Sequence, residues 1–193
     1  IYPNLELKQR SGKLGLASAY LGAFREVLEA HPNLRAIITM DADLSHDPAV
    51  VETMLEKLDA HDLIVGSRYI PEGGTHGWEL WRRALSRGGN IYTRIVTGSP
   101  VRALTGGFNC YSAELLRRYD LDNVRSEGYG FQIEMKIIAH GLGARIHETP
   151  IIFRNRTVEE SKMSNSIIKE GILLPWRCSP IARLLRRLKQ AIG

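Results

Sequence analysis

Residues 35–47 read Arg35-Ala36-Ile37-Ile38-Thr39-Met40-Asp41-Ala42-Asp43-Leu44-Ser45-His46-Asp47. The β-branched, apolar run from Ala36 to Met40 predicts a buried strand with two carboxylates, Asp41 and Asp43, at its carboxyl end. Open α/β sheets bind their ligands at that edge. Side chains alternate along extended backbone, so Asp41 and Asp43 point to one side and can share a hard divalent cation that also holds a diphosphate. The same aspartates equally suit a turn and a helix start, with Pro48 in the first helical position and Asp47 as its cap.

Downstream, Val50, Val51, Met54, Leu55 and Leu58 fall on one helical stripe, and Asp62-Leu63-Ile64-Val65-Gly66 predicts the next strand. Strand, helix and strand make a βαβ unit, so the two strands are expected to pair in parallel. Gly66-Ser67-Arg68-Tyr69 then brings an arginine to the aspartates' edge, as a site residue or a structural ion pair. Pro71 to Gly77 reads as a flexible loop able to act as a lid. A helix is expected over Trp78 to Val96, with Trp81, Ala84, Leu85, Ile91 and Ile95 apolar and Arg82, Arg83, Ser86 and Arg87 interleaved. This pattern fits either an ordinary amphipathic helix or a membrane-interface face.

Thr105-Gly106-Gly107-Phe108 is a turn into a short strand at Asn109-Cys110-Tyr111, and Ser112 caps a helix running to Tyr119. Gly128-Tyr129-Gly130-Phe131 opens a further helix with Ile133, Ile137 and Ile138 on one side. Its Glu134 is either solvated or turned into the site. Ala144 to Phe153 is extended and contains Pro150, as an edge strand would. Upstream, Gln9 to Gly15 is a basic, Gly-bearing loop whose Lys13 either reaches a phosphate near a helix start or is a solvated loop lysine. The stretch before it, Leu5-Glu6-Leu7, is at most a strand stub, so a segment is expected to be missing upstream.

Composition narrows the class. The chain has 193 residues, 44% of them apolar, enough for one folded domain with a real core. No apolar run approaches the roughly 20 residues that span a bilayer, and Ile1-Tyr2-Pro3-Asn4 does not begin a signal peptide. Cys110 and Cys178 are too few for a disulfide framework, which suits a reducing compartment. The net charge of +5 is concentrated in residues 82–102, 154–169 and 177–189, favouring phosphate-bearing ligands or an anionic membrane. Nucleic acid is disfavoured, because the basic segments are separated and lack interleaved stacking aromatics. At the carboxyl end Ile181, Leu184, Leu185, Leu188 and Ile192 form an apolar face opposite Arg183, Arg186, Arg187 and Lys189. That is the make-up of a helix lying on an anionic membrane, or of one packing back on its own domain, set off by Pro175 and Pro180.

Taken in order, these segments resemble the family 2 glycosyltransferases of GT-A fold, specifically the polyprenyl-phosphate (dolichol-phosphate) mannose synthases. The resemblance is carried by Lys13 to Tyr20, Met40-Asp41-Ala42-Asp43-Leu44-Ser45-His46, Val65-Gly66-Ser67-Arg68-Tyr69, Gly77-Trp78 with Arg82 and Ser86, Thr105-Gly106-Gly107-Phe108, Tyr129 to Met135, and Phe153-Arg154-Asn155-Arg156 with Glu160-Ser161-Lys162. It implies an open, twisted, mainly parallel sheet flanked by helices over residues 1–165, lacking its first strand, followed by a basic membrane-associating segment at 166–193. It implies inverting transfer of mannose from GDP-mannose to a polyprenyl (dolichyl) monophosphate with Mg²⁺ or Mn²⁺, at the cytoplasmic face of a membrane. A membrane-protein partner subunit is compatible with that setting.

Asp41 and Asp43 would match the metal-holding acidic motif, and Lys13 would lie on the donor side. Arg68, Arg82, Ser86, Arg156 and Lys162 would match the positions around the phosphates, with Asp43, Arg68 and Arg156 closest to the chemistry. Three departures accompany the match. The nucleotide-reading amino-terminal strand has no counterpart, Ser45 stands where a Gln often contacts the metal, and Ala103 stands where an Asp commonly precedes the Gly-bearing turn. The alternatives are a polyprenyl-phosphate transferase with another donor such as UDP-glucose, and an inactive membrane-docking scaffold of the same fold.

Overall fold

The structure, a computed structural model, describes residues 4–12, 15–126, 128, 130–154, 172–177 and 179. The elements in chain order are α1 (Leu16–Ala30), β1 (Ala36–Thr39), α2 (Val50–Lys57), β2 (Leu63–Ser67), β3 (Gly74–His76), α3 (Leu80–Thr97), β4 (Asn109–Ser112), α4 (Ala113–Arg117), a 3-10 turn (Leu121–Asn123), α5 (Gly130–Gly141), β5 (Ile146–Pro150) and β6 (Ile152–Arg154). A short helical stretch, 172–177, follows.

The main sheet has the order β1-β4-β2-β5. Three of its strands run in one direction, while β4 is antiparallel to both β1 and β2. The α/β class with a largely co-directional sheet therefore holds, but the expected direct pairing of β1 with β2 does not. Strand β4 lies between them, with Asn109 opposite Thr39 on one side and Val65 on the other. This insertion carries the turn preceding β4 into the gap between the ends of β1 and β2.

Every residue of β2 is buried, because both faces of the sheet are covered. Leu63, Val65 and Tyr111 join a core with Ala17, Leu21 and Phe24 of α1, Leu115 and Leu116 of α4, and Phe131, Met135 and Ala139 of α5. The alternate side chains, Ile64 and Cys110, pack with Met54 and Leu58 beside α2. Full burial of each such aliphatic side chain contributes about 1.5–3 kcal/mol. Burial also pushes the Cys110 thiol up to about 12. As expected, β5 is an edge strand.

Local chemistry sets the element ends. Ser112 Oγ accepts from Leu115 N at 3.1 Å, as expected of a cap, though α4 ends at Arg117 rather than Tyr119. Asp47 Oδ1 accepts from Ala49 N at 3.0 Å ahead of α2. Gly98, left-handed at φ 67, closes α3. The expected lid loop is partly a strand: β3 pairs in parallel with β6, Gly74 opposite Ile152 and His76 opposite Arg154. Gly73 lets the chain fold back there, since a Cβ at this position would strike the Ser67 carbonyl oxygen. Glu134 neither faces solvent alone nor enters the site; its Oε2 accepts from Arg125 N and Ser126 N at 3.1 and 2.7 Å, holding the loop before α5.

Helix α3 has the reverse of ordinary amphipathic packing. Its buried residues are Asn90, Thr93 and Thr97, whereas Leu80, Trp81 and Ile95 are 80%, 60% and 77% exposed. The hydroxyls of Thr93 and Thr97 donate to carbonyls one turn back, Gly89 O and Thr93 O, so they remain satisfied. The apolar surface continues onto 172–177. There Tyr92 Oη donates to Ile172 O and accepts from Trp176 Nε1, both at 2.8 Å, and Ile172, Leu173 and Trp176 are exposed.

Candidate active site

The acidic turn follows β1. The Asp41 backbone N–H donates to His46 Nδ1 at 3.4 Å, and Asp43 Oδ1 accepts from Ser45 N at 3.1 Å, so the turn folds onto its own side chains. Leu44 sits at φ 63, left-handed and exposed, a conformation that costs a leucine about 1–2 kcal/mol. Such strain collects at functional turns. The His46 ring packs 5.0 Å from Phe108 and 5.3 Å from Phe153 of β6, and Arg154 N donates to Ser45 O at 3.0 Å. The turn is thereby tied to β6. Ser45 is buried, and its hydroxyl has no hydrogen-bond partner among the described residues.

Asp41 lies against Gly107. A Cβ at Gly107 would stand in ordinary van der Waals contact, 3.6 Å from Asp41 Oδ1 and 3.8 Å from Gln132 Nε2, which places the turn beside that carboxylate. The Tyr20 hydroxyl is pushed up, first by burial and then by the negative charge of Asp41, which puts α1 beside the same carboxylate.

The cationic half follows β2. The Arg68 guanidinium carbon lies 5.2 Å from the ring centre of Tyr69, 5.0 Å from Trp78 and 5.1 Å from Phe153. Arg82 covers the same tryptophan at 4.3 Å. Arg68 Nε donates to Tyr69 Oη at 2.9 Å and Asn90 Nδ2 does so at 3.1 Å. Tyr69 Oη and Ser86 Oγ lie 2.6 Å apart and share one hydrogen bond. Asn90 extends the network to the turn before β4, donating to Thr105 Oγ1 at 3.2 Å and accepting from Thr105 N at 3.3 Å.

Five of the residues expected from sequence stand at one rim. Asp41 and Asp43 stand beyond β1, Arg68 beyond β2, and Arg82 and Ser86 on the start of α3 beside Arg68, with the Thr105–Gly107 turn between the halves. Lys13, Arg156 and Lys162 lie outside the described residues, as does the 181–193 stripe. Among the described residues no three His, Cys, Asp or Glu side chains gather as a ready metal cage. Two carboxylates suit a cation that takes its remaining ligands from phosphate and water, as Mg²⁺ does.

Sequence reasoning missed Asn90 and Lys136. Arg82, Ser86 and Asn90 recur every fourth residue, a single helical face, and that spacing was readable. Lys136 interrupts the apolar α5 and is fully buried, which pulls its ammonium down to about 7. The unfolded lysine holds its proton up to its ordinary value of 10.5, while the folded one releases it above about 7. The unfolded chain therefore binds more protons from about pH 7 upward, and stability rises with pH there. Above pH 9 the buried Cys110 thiol acts in the opposite sense. We expect a gain of about 2 kcal/mol between pH 7 and 9, read as a rising urea midpoint. That slope should be lost in Lys136→Met, and an equal slope in both chains would refute it.

Residues 1–120 match the model of the family described as "Glycosyl transferase family 2". The chain belongs to that family. This family 2 glycosyltransferase is 39% identical over 181 residues to the undecaprenyl-phosphate mannosyltransferase of Micrococcus luteus, covering 94% of this chain and 74% of that protein. It is 37% identical over 169 residues to the polyprenol monophosphomannose synthase of Mycolicibacterium smegmatis, covering 87% of this chain and 63% of that one. Among solved structures it resembles glucosyl-3-phosphoglycerate synthase of Mycobacterium tuberculosis in complex with Mn²⁺, UDP-glucose and phosphoglyceric acid. The TM-score is 0.54 at 16% identity, over 91% of this chain and 56% of that one, and the likeness is one of fold.

Proposed function

We propose that the chain carries the catalytic site of a polyprenyl-phosphate mannosyltransferase, which moves mannose from GDP-mannose to a polyprenyl monophosphate with inversion. The observation that carries this reading is the placement of an acidic turn and an aromatic-braced arginine pair at one sheet rim, separated only by the Thr105–Gly107 turn. The two mannosyltransferase relatives supply the sugar and the lipid class.

A phosphate monoester has its second pKa near 6, so the acceptor reaches the site as a dianion and needs no strong general base. Its oxygen forms the bond to the sugar's anomeric carbon as the bond to the diphosphate breaks, the electron pair leaving with GDP. Asp41 and Asp43 would hold Mg²⁺ or Mn²⁺, which when bound neutralises charge on the departing diphosphate. The remaining task is to let two polyanions meet. Arg68 and Arg82 can grip phosphate oxygens bidentately, and the rings of Tyr69, Trp78 and Phe153 fix the Arg68 guanidinium before substrate arrives. Ser86 can donate one further hydrogen bond. We place Lys13 on the donor side and Arg156 and Lys162 beside the acceptor phosphate.

The exposed apolar face of α3, with its flanking arginines, supports docking on an anionic membrane where the lipid acceptor resides. Among the described residues no helix is long and apolar enough to cross a membrane. The basic 181–193 stripe would add to the same attachment.

The test is transfer of radiolabelled sugar to polyprenyl phosphate in anionic vesicles. GDP-mannose should be used in preference to UDP-glucose, chelation should stop the reaction, and the chain should sediment with the vesicles. Faster transfer from UDP-glucose removes the donor assignment, transfer that survives chelation removes the metal, and protein left in the supernatant removes the docking face.

A further inference from the structure

Five elements send side chains into the short segment between the two halves of the site. Glu148 of β5 accepts from Arg102 N and Ala103 N at 3.0 and 2.9 Å, and Asn90 of α3 holds Thr105 at both its N–H and its hydroxyl. Thr39 Oγ1 of β1 donates to Gly107 O at 2.7 Å, and Asn109 Nδ2 of β4 donates to Gly106 O at 3.3 Å. The fifth is Lys136 of α5, whose Nζ donates to Leu104 O at 3.2 Å, Gly106 O at 2.7 Å and Gln132 O at 3.4 Å.

Lys136 is the unusual member. It is fully buried, yet among the described residues its hydrogen-bond partners are three carbonyl oxygens and it has no salt bridge. An apolar side chain in its place would take the side-chain donor from Leu104 O and leave Gly106 O with Asn109 Nδ2 alone. Burying an ammonium is costly, and the fold meets that cost at the segment that touches both Asp41 and the Tyr69–Ser86–Asn90 network. We propose that Lys136 is a positioning residue: by pinning Leu104 O and Gly106 O it fixes the Thr105–Gly107 turn, and so sets the Asp41 carboxylate at its working distance from the Arg68–Ser86 phosphate arm. Its effect on rate rests on the mannosyl-transfer reading; its effect on the turn does not.

Lys136→Met keeps an unbranched side chain, one heavy atom shorter, and removes every donor. Thr39→Val keeps the shape at the opposite side of the turn and frees Gly107 O. Two quantities separate a positioning role from a purely structural one. The first is kcat and KM for GDP-mannose and polyprenyl phosphate. The second is deuterium uptake over residues 102–108, where the amides of Arg102, Ala103, Thr105 and Gly106 are hydrogen-bonded. In Lys136→Met, kcat should fall by about 10- to 100-fold while both KM values stay within about threefold, as for a site whose parts are present but misplaced. Uptake over 102–108 should rise, and Thr39→Val should show a smaller change in the same direction.

A folded Lys136→Met chain with kcat within about twofold of the parent, or with unchanged uptake over 102–108, overturns the proposal. If Lys136→Met does not fold, Thr39→Val decides, and unchanged kcat and uptake in that chain overturn it as well. If the parent chain transfers no mannose, the functional reading has failed on its own. The positioning role then stands on increased uptake confined to 102–108 and falls without it.

Discussion

Asp43→Asn is expected to lower the proposed sugar transfer by about 10³-fold with little change in melting temperature, because it removes a charge while preserving a turn. Asp43 Oδ1 accepts from Ser45 N at 3.1 Å, and an asparagine carbonyl oxygen can accept that same bond. What asparagine cannot supply is the anionic oxygen that a hard divalent cation prefers. Metal stabilisation of a leaving diphosphate contributes several kcal/mol, and each 1.4 kcal/mol is about a factor of ten in rate. Asp43→Ala removes both the charge and the turn's acceptor. It should lose activity to the same extent and some stability besides, about 1 kcal/mol. Turnover and melting temperature measured side by side separate the two roles. Near-normal turnover in Asp43→Asn would leave the aspartate with a purely structural role and remove the metal from the mechanism.

The parts of this site that sequence discloses are those written in local patterns. The run Ala36 to Met40 and the run Leu63 to Gly66 are apolar, β-branched and bounded by turn residues, and both regions form strands with the candidate site residues just beyond their carboxyl ends. Arg82 and Ser86 fall where expected because a helix fixes residues four apart on one face. The order of strands is not written locally. A strand, a helix and a strand suggest neighbours, and only the long-range pairing of Asn109–Ser112 with both of them shows that β4 intervenes. For the same reason the Thr105–Gly107 turn reads as a connector rather than as the piece between acid and arginine. The segment Gly74–His76, with Gly73 just before it, reads as a flexible loop because its partner, β6, lies far along the chain. The exposure of Trp81 and Ile95 is undecidable from periodicity, since an apolar stripe marks a face without saying what covers it.

Arg68→Lys is the complementary experiment, because it keeps the positive charge and changes its shape. The guanidinium of Arg68 lies within 5.0–5.2 Å of three ring centres and is held by Nε to Tyr69 Oη at 2.9 Å. A lysine ammonium is a hydrated point charge that cannot present two parallel N–H groups to a phosphate and stacks less well on ring faces. If the arginine's task were only to neutralise charge, lysine would serve. If the task is to hold a phosphate oxygen pair in one orientation relative to the acidic turn, lysine should lose about 10²-fold in kcat/KM for the lipid acceptor, and Arg68→Ala about tenfold more. The donor's KM should move little, because Asp41 and Asp43 are left intact. Asn90 and Ser86 would still hold Tyr69 in place, since their bonds to its hydroxyl do not pass through Arg68. An Arg68→Lys chain with parental acceptor kinetics would mean that charge alone suffices, and the three rings around the guanidinium would then serve packing rather than orientation.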